Sequence, residues 1–267
     1  MSKENVMNRR DFVSASCLAA VPLIGAGCSQ QRRHDAIGRK HCFELRHYEI
    51  ESAEHQRAFN RFLEAAAIPA YNRAGVGPIG VFEMAEGESH DLWMLLPHDS
   101  LGSVVAANTK MLADAEYMEN GHDVLTTPKN EPAYRRFDSS LLLAFDHCPR
   151  LEVPTEADSR VFQLRVYESH NTVMAKRKIE MFNEGGEIAI FRETGLDPIF
   201  FGERIIGDRM PNLTYMLGFD DTDAMKTAWD KFRNHPDWKE LRSREYYKDT
   251  VSHITNLVMK PTGASQI

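Results

Sequence analysis

Two short segments of the sequence carry charged and phenolic side chains in the same order and at the same spacing. Residues 43–49 read Phe-Glu-Leu-Arg-His-Tyr-Glu and residues 162–168 read Phe-Gln-Leu-Arg-Val-Tyr-Glu, so five of the seven positions are identical. The alternation of apolar and polar residues predicts a β-strand in each segment. Because side chains two residues apart share a strand face, the arginine and tyrosine of each segment could together bind a small polar or anionic ligand.

The polar faces of these strands hold the candidate ligand-binding residues. We expect the apolar faces to meet helices and the polar faces to line the space between two sheets. A buried arginine needs a partner. Arg46 and Arg165 could therefore bond Glu83 and Glu203 across strands in a structural network. Alternatively, the same polar side chains could wall a small-molecule pocket. The candidates are Glu44, Arg46, Tyr48, Gln163, Arg165, Tyr167, Glu83 and Glu203.

The candidates for a catalytic role are chosen by position, because no local motif marks a nucleophile or a base. His47 stands where the second segment has Val166, on the strand face that we expect to meet the helices. His253 falls on the last predicted strand, where we expect it to be buried. A histidine with a purely structural role is the alternative at both positions. The four candidates are His47, Tyr48, Arg165 and His253.

The sequence predicts neither a metal site nor a cofactor. Its 11 histidines and 4 cysteines show no HExxH, HxH or CxxC spacing. Residues 75–80 match G-x-G-x-x-G by letters, but a dinucleotide site needs a strand before this motif and a helix after it. The predicted order here is the reverse, so the motif indicates a helix end followed by the start of a strand.

The two strand segments belong to a longer internal repeat. Glu83 matches Glu203, and the segment 92–96 matches 213–217, with an offset that drifts only from 119 to 121 along the unit. Each copy predicts the order strand, helix, strand, strand, helix, strand. The predicted organisation is a first unit at 42–148, a linker at 149–160, a second unit at 161–260 and a tail at 261–267.

The order βαββαβ is that of a ferredoxin-like unit, whose helices cover one face of the sheet and leave the other bare. Two bare faces in one chain can be buried against each other. We therefore predict an α+β fold in which two tandem ferredoxin-like units pack sheet to sheet as an intramolecular α/β barrel. Since one chain supplies both sheets, we expect a monomer or a weak homo-oligomer.

Two cysteines are placed to form a disulfide in this arrangement. Cys42 begins the first strand of the first unit and Cys148 follows its last strand. The first and last strands of a ferredoxin-like unit are antiparallel neighbours, so these ends should lie side by side. The sequence therefore predicts a Cys42–Cys148 disulfide, provided that the protein reaches an oxidising compartment.

The N-terminal residues are typical of an export signal. Arg9 and Arg10 are followed by Phe12 and then by an uncharged, mildly apolar stretch that ends in small residues. We interpret residues 1–27 as a twin-arginine signal peptide and 28–41 as a polar linker. Cys28 could carry a lipid anchor, although plain cleavage near Gly27 is the alternative. The expected location is the periplasm or the membrane-anchored cell envelope.

Composition excludes several classes of partner. The 267 residues are 42% hydrophobic and 27% charged, with a formal net charge of −7. A chain this acidic is unsuited to binding a nucleic-acid backbone. No apolar run reaches the length of a transmembrane helix, so we expect no transmembrane span. A small-molecule ligand or an envelope protein is the expected partner.

The second unit resembles the NIPSNAP family. Residues 228–238 read Ala-Trp-Asp-Lys-Phe-Arg-Asn-His-Pro-Asp-Trp, which is similar to that family's helix followed by Pro, an acidic residue and Trp. The first unit departs from the pattern, because residues 115–117 lack the proline. The resemblance implies the dimeric α/β-barrel fold. It also implies relatives that include cofactor-free or haem-degrading monooxygenases, as well as proteins that only bind.

These observations favour an exported protein of the NIPSNAP type that binds a small molecule or an envelope partner. The first alternative is a cofactor-free or haem-dependent monooxygenase or isomerase of the dimeric α/β-barrel type. The second alternative is a purely structural interaction module. An apolar cleft with His or Arg inside would favour the enzyme.

Overall fold

Residues 40–267 are described by the computed structural model. The predicted signal peptide 1–27, Cys28 and all of the predicted linker except its last two residues lie outside this range. Among the helices of residues 40–267, none is long and apolar enough to cross a membrane.

The first half of the structure follows the predicted order. The Ser52 side chain accepts a hydrogen bond from the backbone amide of His55 and so caps the first helix. That helix passes through one π-helical turn before it ends. The elements are β1 (Cys42–Glu49), α1 (Ala53–Phe62), the π-helical turn (Leu63–Ala67), α2 (Ile68–Arg73), β2 (Gly80–Met84), β3 (Leu92–His98), α3 (Leu101–Leu112), α4 (Ala115–Asn120), α5 (His122–Leu125) and β4 (Arg136–Ala144).

The second half repeats this order with a sharper break in its first helical region. Gly186 has a φ of 86°, which starts a new helix immediately after the Gly185–Gly186 pair. The elements are β5 (Val161–Glu168), α6 (Thr172–Phe182), α7 (Glu187–Thr194), β6 (Asp197–Ile206), β7 (Asn212–Phe219), α8 (Thr222–Asn234), α9 (Pro236–Leu241), a 3₁₀ turn (Glu245–Tyr247) and β8 (His253–Pro261).

All eight strands form one closed antiparallel barrel, in the order β1-β3-β2-β8-β5-β7-β6-β4. Within each half the order is that of a ferredoxin-like sheet, with the first strand between the last and the third. The free edges of the two sheets then pair with each other, β2 with β8 and β4 with β6. The predicted α+β fold with two tandem ferredoxin-like units in one α/β barrel is therefore confirmed, and edge pairing closes it.

The barrel interior is packed with apolar side chains from both halves. Phe82 of the first half meets Phe162 of the second with ring centroids 4.9 Å apart, and Phe43 meets Phe200 at the same distance. Each half has a second core between its sheet and its own helices. The fold therefore has three apolar clusters, and the interior cluster joins the two halves.

The faces of β1 and β5 are the reverse of the sequence prediction. Phe43 and Leu45 point into the barrel interior, whereas Tyr48 belongs to the core beneath the first helices. Both strand faces are covered, one by the other half and one by helices. The apolar face packs best in the dry interior, so the polar faces lie beneath the helices, where solvent can reach part of each cleft.

Cys42 and Cys148 are both buried and free in the structure, so the predicted disulfide is absent from it. Alternation along β1 places Cys42 on the helix-facing side of the first half. The chain passes beyond the end of β4 before it reaches Cys148, which packs in the helix-side core of the second half with Phe145. The strand ends are neighbours, as expected, but Cys148 packs into the core of the second half, to which Cys42 does not belong.

The residues predicted as a tail return to the first half. The Gln266 backbone amide donates to the carbonyl of Ile79, and the Ile79 amide donates to the Gln266 side chain, both at 2.8 Å. Ile267 is buried with the interior cluster. The last residues therefore pack beside β2 and help to close this end of the barrel.

Candidate functional site

Arg46 is the centre of a polar network beneath the helices of the first half. Its Nε donates to Glu44 Oε1 at 2.7 Å and its Nη2 donates to Glu44 Oε2 at 3.0 Å. Its Nη1 donates to the hydroxyl of Tyr71 at 2.8 Å and to that of Tyr48 at 3.3 Å. The partner of this arginine is thus on its own strand, and the predicted pairing with Glu83 is wrong.

Glu44 is held in its charged form by this network. Burial raises the pKa of the Glu44 carboxyl, but the His98 imidazole, whose Nε2 lies 3.7 Å from Glu44 Oε2, and the hydrogen bonds from Arg46 outweigh burial and lower that pKa to about 2. The Ser139 hydroxyl also donates to Glu44 Oε1, at 2.7 Å. The Arg46–Glu44 pair is therefore a charged unit at neutral pH and fixes the guanidinium in one orientation.

A cleft of about 390 Å³ lies between this network and the helices. Its volume is in the range of small-molecule sites. Most of its wall is aromatic or aliphatic, and Arg46 is its one charged side chain among the described residues. The cleft is lined by Arg46, Tyr48, Phe59, Phe62, Leu63, Ala67, Tyr71, Met94, Asn108, Met111, Tyr117, Val124, Leu125, Thr127, Pro132, Ala133, Tyr134 and Phe137.

The tyrosines of this first cleft are hydrogen-bond donors at neutral pH. Burial raises the pKa of Tyr48 to about 12, against the attraction of Arg46 for the phenolate. Burial also raises the pKa values of Tyr71 and Tyr117. Since the hydroxyl oxygens of Tyr48 and Tyr71 already accept from Arg46, their O–H groups are available to donate into the cleft.

The second half has an equivalent cleft of about 410 Å³ beneath its own helices. Arg165 and Tyr167 take the places of Arg46 and Tyr48. The guanidinium carbon of Arg165 lies 4.6 Å from the centroid of the Trp229 ring and 5.3 Å from that of Tyr167. The second cleft is lined by Arg165, Tyr167, Lys178, Glu187, Trp229, Phe232, Arg233, Trp238, Arg242, Val251 and Ile254.

A buried ion pair distinguishes the second cleft from the first. Lys178 Nζ lies 2.6 Å from Glu187 Oε2, and the two side chains are 6% and 2% exposed. Burial raises the pKa of Glu187, against the attraction of Lys178. The repeat aligns Lys178 with Phe59 of the first half, so the lysine of this ion pair stands where the first half has an aromatic side chain.

The remaining candidate residues lie away from both clefts. His47 points into one end of the barrel, where its Nε2 lies 3.1 Å from Asp91 Oδ2 and its ring stacks on Trp93. The expectation that it faces the helices is wrong, because its whole strand face is turned inward. His253 begins β8 and is exposed rather than buried. Neither histidine shares a site with Tyr48 or Arg165.

The two glutamates predicted to pair with the arginines have lysine partners instead. Glu83 lies 3.1 Å from Lys260 on β8. Glu203 lies 2.6 Å from Lys176 on α6. Both pairs are partly exposed. Within residues 40–267, no three side chains of His, Cys, Asp or Glu come together as metal ligands.

The sequence profile of one protein family matches both halves of this chain. The NIPSNAP profile matches residues 43–149 and again residues 162–266. The chain belongs to the NIPSNAP family. A comparison with curated protein sequences gives no match.

Two solved structures share the fold of this NIPSNAP protein at low sequence identity, and a third is similar to part of the chain. A proposed monooxygenase of Lactobacillus acidophilus is 15% identical, with a TM-score of 0.55 over 83% of this chain and 94% of its own. A proposed monooxygenase of Fusobacterium nucleatum is 8% identical, with a TM-score of 0.54 over 83% and 92%. A NIPSNAP-like domain protein of Burkholderia xenovorans is 19% identical, with a TM-score of 0.36 over 39% and 87%.

Sequence reasoning missed several residues that shape the clefts of this NIPSNAP protein. Tyr71 and His98 join the Arg46 network from other elements, and no strand pattern points to them. Lys178 and Glu187 were also missed. The aligned repeat does carry a signal for Lys178, because a lysine replaces an aromatic residue within the apolar stripe of a predicted helix.

Proposed function

We propose that this NIPSNAP protein is an exported binding protein for a small molecule, which it holds in the first cleft. The ligand is planar and largely apolar, and it carries an acceptor oxygen such as that of a ketone. The aromatic wall described above supports the planar, apolar part of this proposal. The Arg9–Arg10 pair and the uncharged stretch after Phe12 support export.

The observation that carries the proposal is the direction of the hydrogen bonds at Arg46. The Arg46 Nη1 donates to the hydroxyl oxygen of Tyr71 at 2.8 Å and to that of Tyr48 at 3.3 Å. Two O–H donors therefore remain for a ligand, close to a fixed positive charge. A carbonyl oxygen between these hydroxyls would be hydrogen-bonded beside apolar walls, where such bonds are stronger than in water.

The first cleft favours binding over cofactor-free oxygenation, because its described lining has no His, Asp, Glu or Lys to act as a general base and burial keeps Tyr48 and Tyr71 protonated. A cofactor-free oxygenase has to remove a proton from its substrate. None of the described lining residues is a His, Asp, Glu or Lys. Glu44 lies next to Arg46 but has a pKa of about 2, so it is a poor proton acceptor. Oxygenation is kept as the second candidate, since the fold is shared with two proposed monooxygenases.

Binding of 9-fluorenone and of fluorene to the intact chain tests the proposal. The two probes share a planar carbon skeleton, and only fluorenone has a ketone oxygen. Equilibrium dialysis should show fluorenone binding at least about tenfold more tightly than fluorene. Tyr71→Phe should weaken fluorenone binding about three- to tenfold, as expected for one lost hydrogen bond, and leave fluorene binding unchanged.

The duplicated fold provides a matched control for this experiment. Tyr167 is the second-half counterpart of Tyr48, so Tyr167→Phe should leave fluorenone binding unchanged. Equal affinity for fluorenone and fluorene would contradict the proposal, as would an unchanged fluorenone affinity in Tyr71→Phe. Conversion of fluorene and O2 into fluorenone and water during aerobic incubation would instead support the oxygenase.

A further inference from the structure

The second cleft contains an arginine whose carboxylate partner has been lost between the repeats. In the first half, Glu44 holds Arg46 through two hydrogen bonds of 2.7 and 3.0 Å. Gln163 occupies the equivalent position before Arg165. Its amide bonds Asn256 at 2.7 Å and accepts from the Trp229 indole at 2.6 Å. Gln163 is therefore neutral and already occupied, and it does not pair with Arg165.

Arg165 lacks a polar partner within residues 40–267. Its Nε is buried without a hydrogen-bond acceptor, and its guanidinium forms no ion pair with the described carboxylates. Its close contacts are the rings of Trp229 and Tyr167. A buried donor left without an acceptor is unfavourable, and the cation–π contacts leave its N–H groups unused.

The charges around Arg165 also favour an anion. Among the described residues that line the second cleft, four are basic (Arg165, Lys178, Arg233 and Arg242) and one is acidic (Glu187). Glu187 pairs with Lys178 at 2.6 Å, and Arg165 also attracts this carboxylate without contacting it, so one acidic group stands against four basic ones. Arg233 also pairs with Asp230, an exposed residue outside the lining. The cleft is thus basic on a chain whose net charge is −7, and it attracts small anions locally.

The walls of the second cleft define the body of the ligand. Trp229, Trp238 and Tyr167 provide aromatic surfaces beside the arginine. We propose that this cleft is a second ligand site, which binds a small aromatic carboxylate. The ligand carboxylate lies inside the cleft and pairs with the Arg165 guanidinium, and so has the role toward Arg165 that Glu44 has toward Arg46. The aromatic ring of the ligand packs against the indole rings.

Binding of 4-fluorobenzoate to the intact chain tests this site independently of the first cleft. The control probe is 4-fluorobenzamide, which has the same ring and no charge. Fluorine NMR titrations should show 4-fluorobenzoate binding at least about tenfold more tightly than the amide. Binding should also quench the fluorescence of Trp229 and Trp238 in a Trp93→Phe background.

Two variants remove the proposed interaction in opposite ways. Gln163→Glu supplies a carboxylate to Arg165, as Glu44 does for Arg46, and should weaken 4-fluorobenzoate binding at least about tenfold. Arg165→Met removes the cation and should have the same effect. Lys226→Met is the matched control, because it removes one charge from the exposed side of α8 and should leave binding unchanged.

The outcomes separate this site from the first cleft. Loss of benzoate binding in Gln163→Glu and Arg165→Met, with Tyr71→Phe unaffected, supports the second site. Equal binding of benzoate and benzamide would overturn the proposal. Benzoate binding that persists in both second-half variants, or that is lost in Tyr71→Phe alone, would also overturn it. Gln163→Glu gives Arg165 the same kind of ion pair that Arg46 has in the first half. The proposal can therefore still be tested with this variant if Arg165→Met fails to fold.

Discussion

Glu44 links the stability of the first half to pH. Its carboxyl has a pKa of about 2 in the folded protein, against an ordinary value of 4.5. The depressed pKa stabilises the fold above about pH 4.5, and this stabilisation is lost as the pH falls toward 2. The shift corresponds to roughly 3 kcal/mol.

Glu44→Gln should therefore flatten the acid side of the stability profile. We expect the variant to be less stable than the native chain at pH 6, because Arg46 loses its carboxylate partner. Between pH 5 and pH 2, the free energy of unfolding of the variant should fall by about 3 kcal/mol less than that of the native chain. Urea unfolding at a series of pH values measures this difference. Glu240→Gln, at an exposed pair with Arg244, is the control and should follow the native profile. Parallel profiles for Glu44→Gln and the native chain would contradict the prediction.

At the residue scale, the sequence indicated which side chains matter but not how they pair. Glu44, Arg46 and Tyr48 were predicted to share a strand face, and they do. Their pairing along one strand is also visible in the spacing, because residues i and i+2 are neighbours on that face. Which face turns inward could not be predicted, since a barrel strand beneath helices is covered on both sides. The packing of the two sheets, and not the alternation of apolar and polar residues, determines which face of the strand points into the barrel.

At the element scale, the break between α6 and α7 is a backbone feature of Gly186. Its φ is 86°, and a Cβ added there would meet no atom within 4 Å. Any effect of a side chain at this position therefore comes from the backbone conformation alone. The repeat predicted a single helix between the first two strands of the second half. The structure instead separates two helices there.

Gly186→Ala should lower the free energy of unfolding by about 1 kcal/mol, because alanine disfavours the left-handed conformation. Gly102→Ala is the matched control. Gly102 lies in the first turn of α3, where an added Cβ meets only Ser100 Oγ at 3.6 Å, so we expect a gain of about 0.5 kcal/mol. Thermal or urea unfolding distinguishes the two signs. Equal effects of the two substitutions would show that the Gly186 backbone conformation is not the cause.

At the scale of the whole molecule, the interior cluster packs side chains of both halves together, so we expect the halves to unfold as one unit. The strand order and the tandem repeat were predictable, because the copied sequence pattern fixes the elements of each half. The closure of the barrel by β2–β8 and β4–β6 was not predictable from the pattern. Edge pairing depends on how two sheets meet in space, and the repeat itself does not encode that geometry.

Phe82→Ala should destabilise both halves together. Phe82 is fully buried and contacts Phe162 across the halves, so we expect a loss of about 3–5 kcal/mol in one cooperative transition. In a Trp93→Phe background, the fluorescence of Trp229 and Trp238 reports the second half alone. The midpoint of the unfolding transition measured by this fluorescence should shift by the same amount as the midpoint measured by far-ultraviolet circular dichroism. Val105→Ala, at a position 81% exposed on α3, should shift neither signal. A second-half signal that keeps its native midpoint in Phe82→Ala would show separate unfolding.

The difference between Glu44 and Gln163 has a genetic consequence. In a homodimer of single units, one codon specifies both copies of each position, so any substitution that opens one cleft opens the other. Here the two positions are encoded separately within one reading frame. One copy can keep its internal ion pair for stability while the other copy changes, as the replacement of Glu44 by Gln163 shows. The tandem repeat thus makes asymmetry heritable in a barrel that is otherwise built from equal halves.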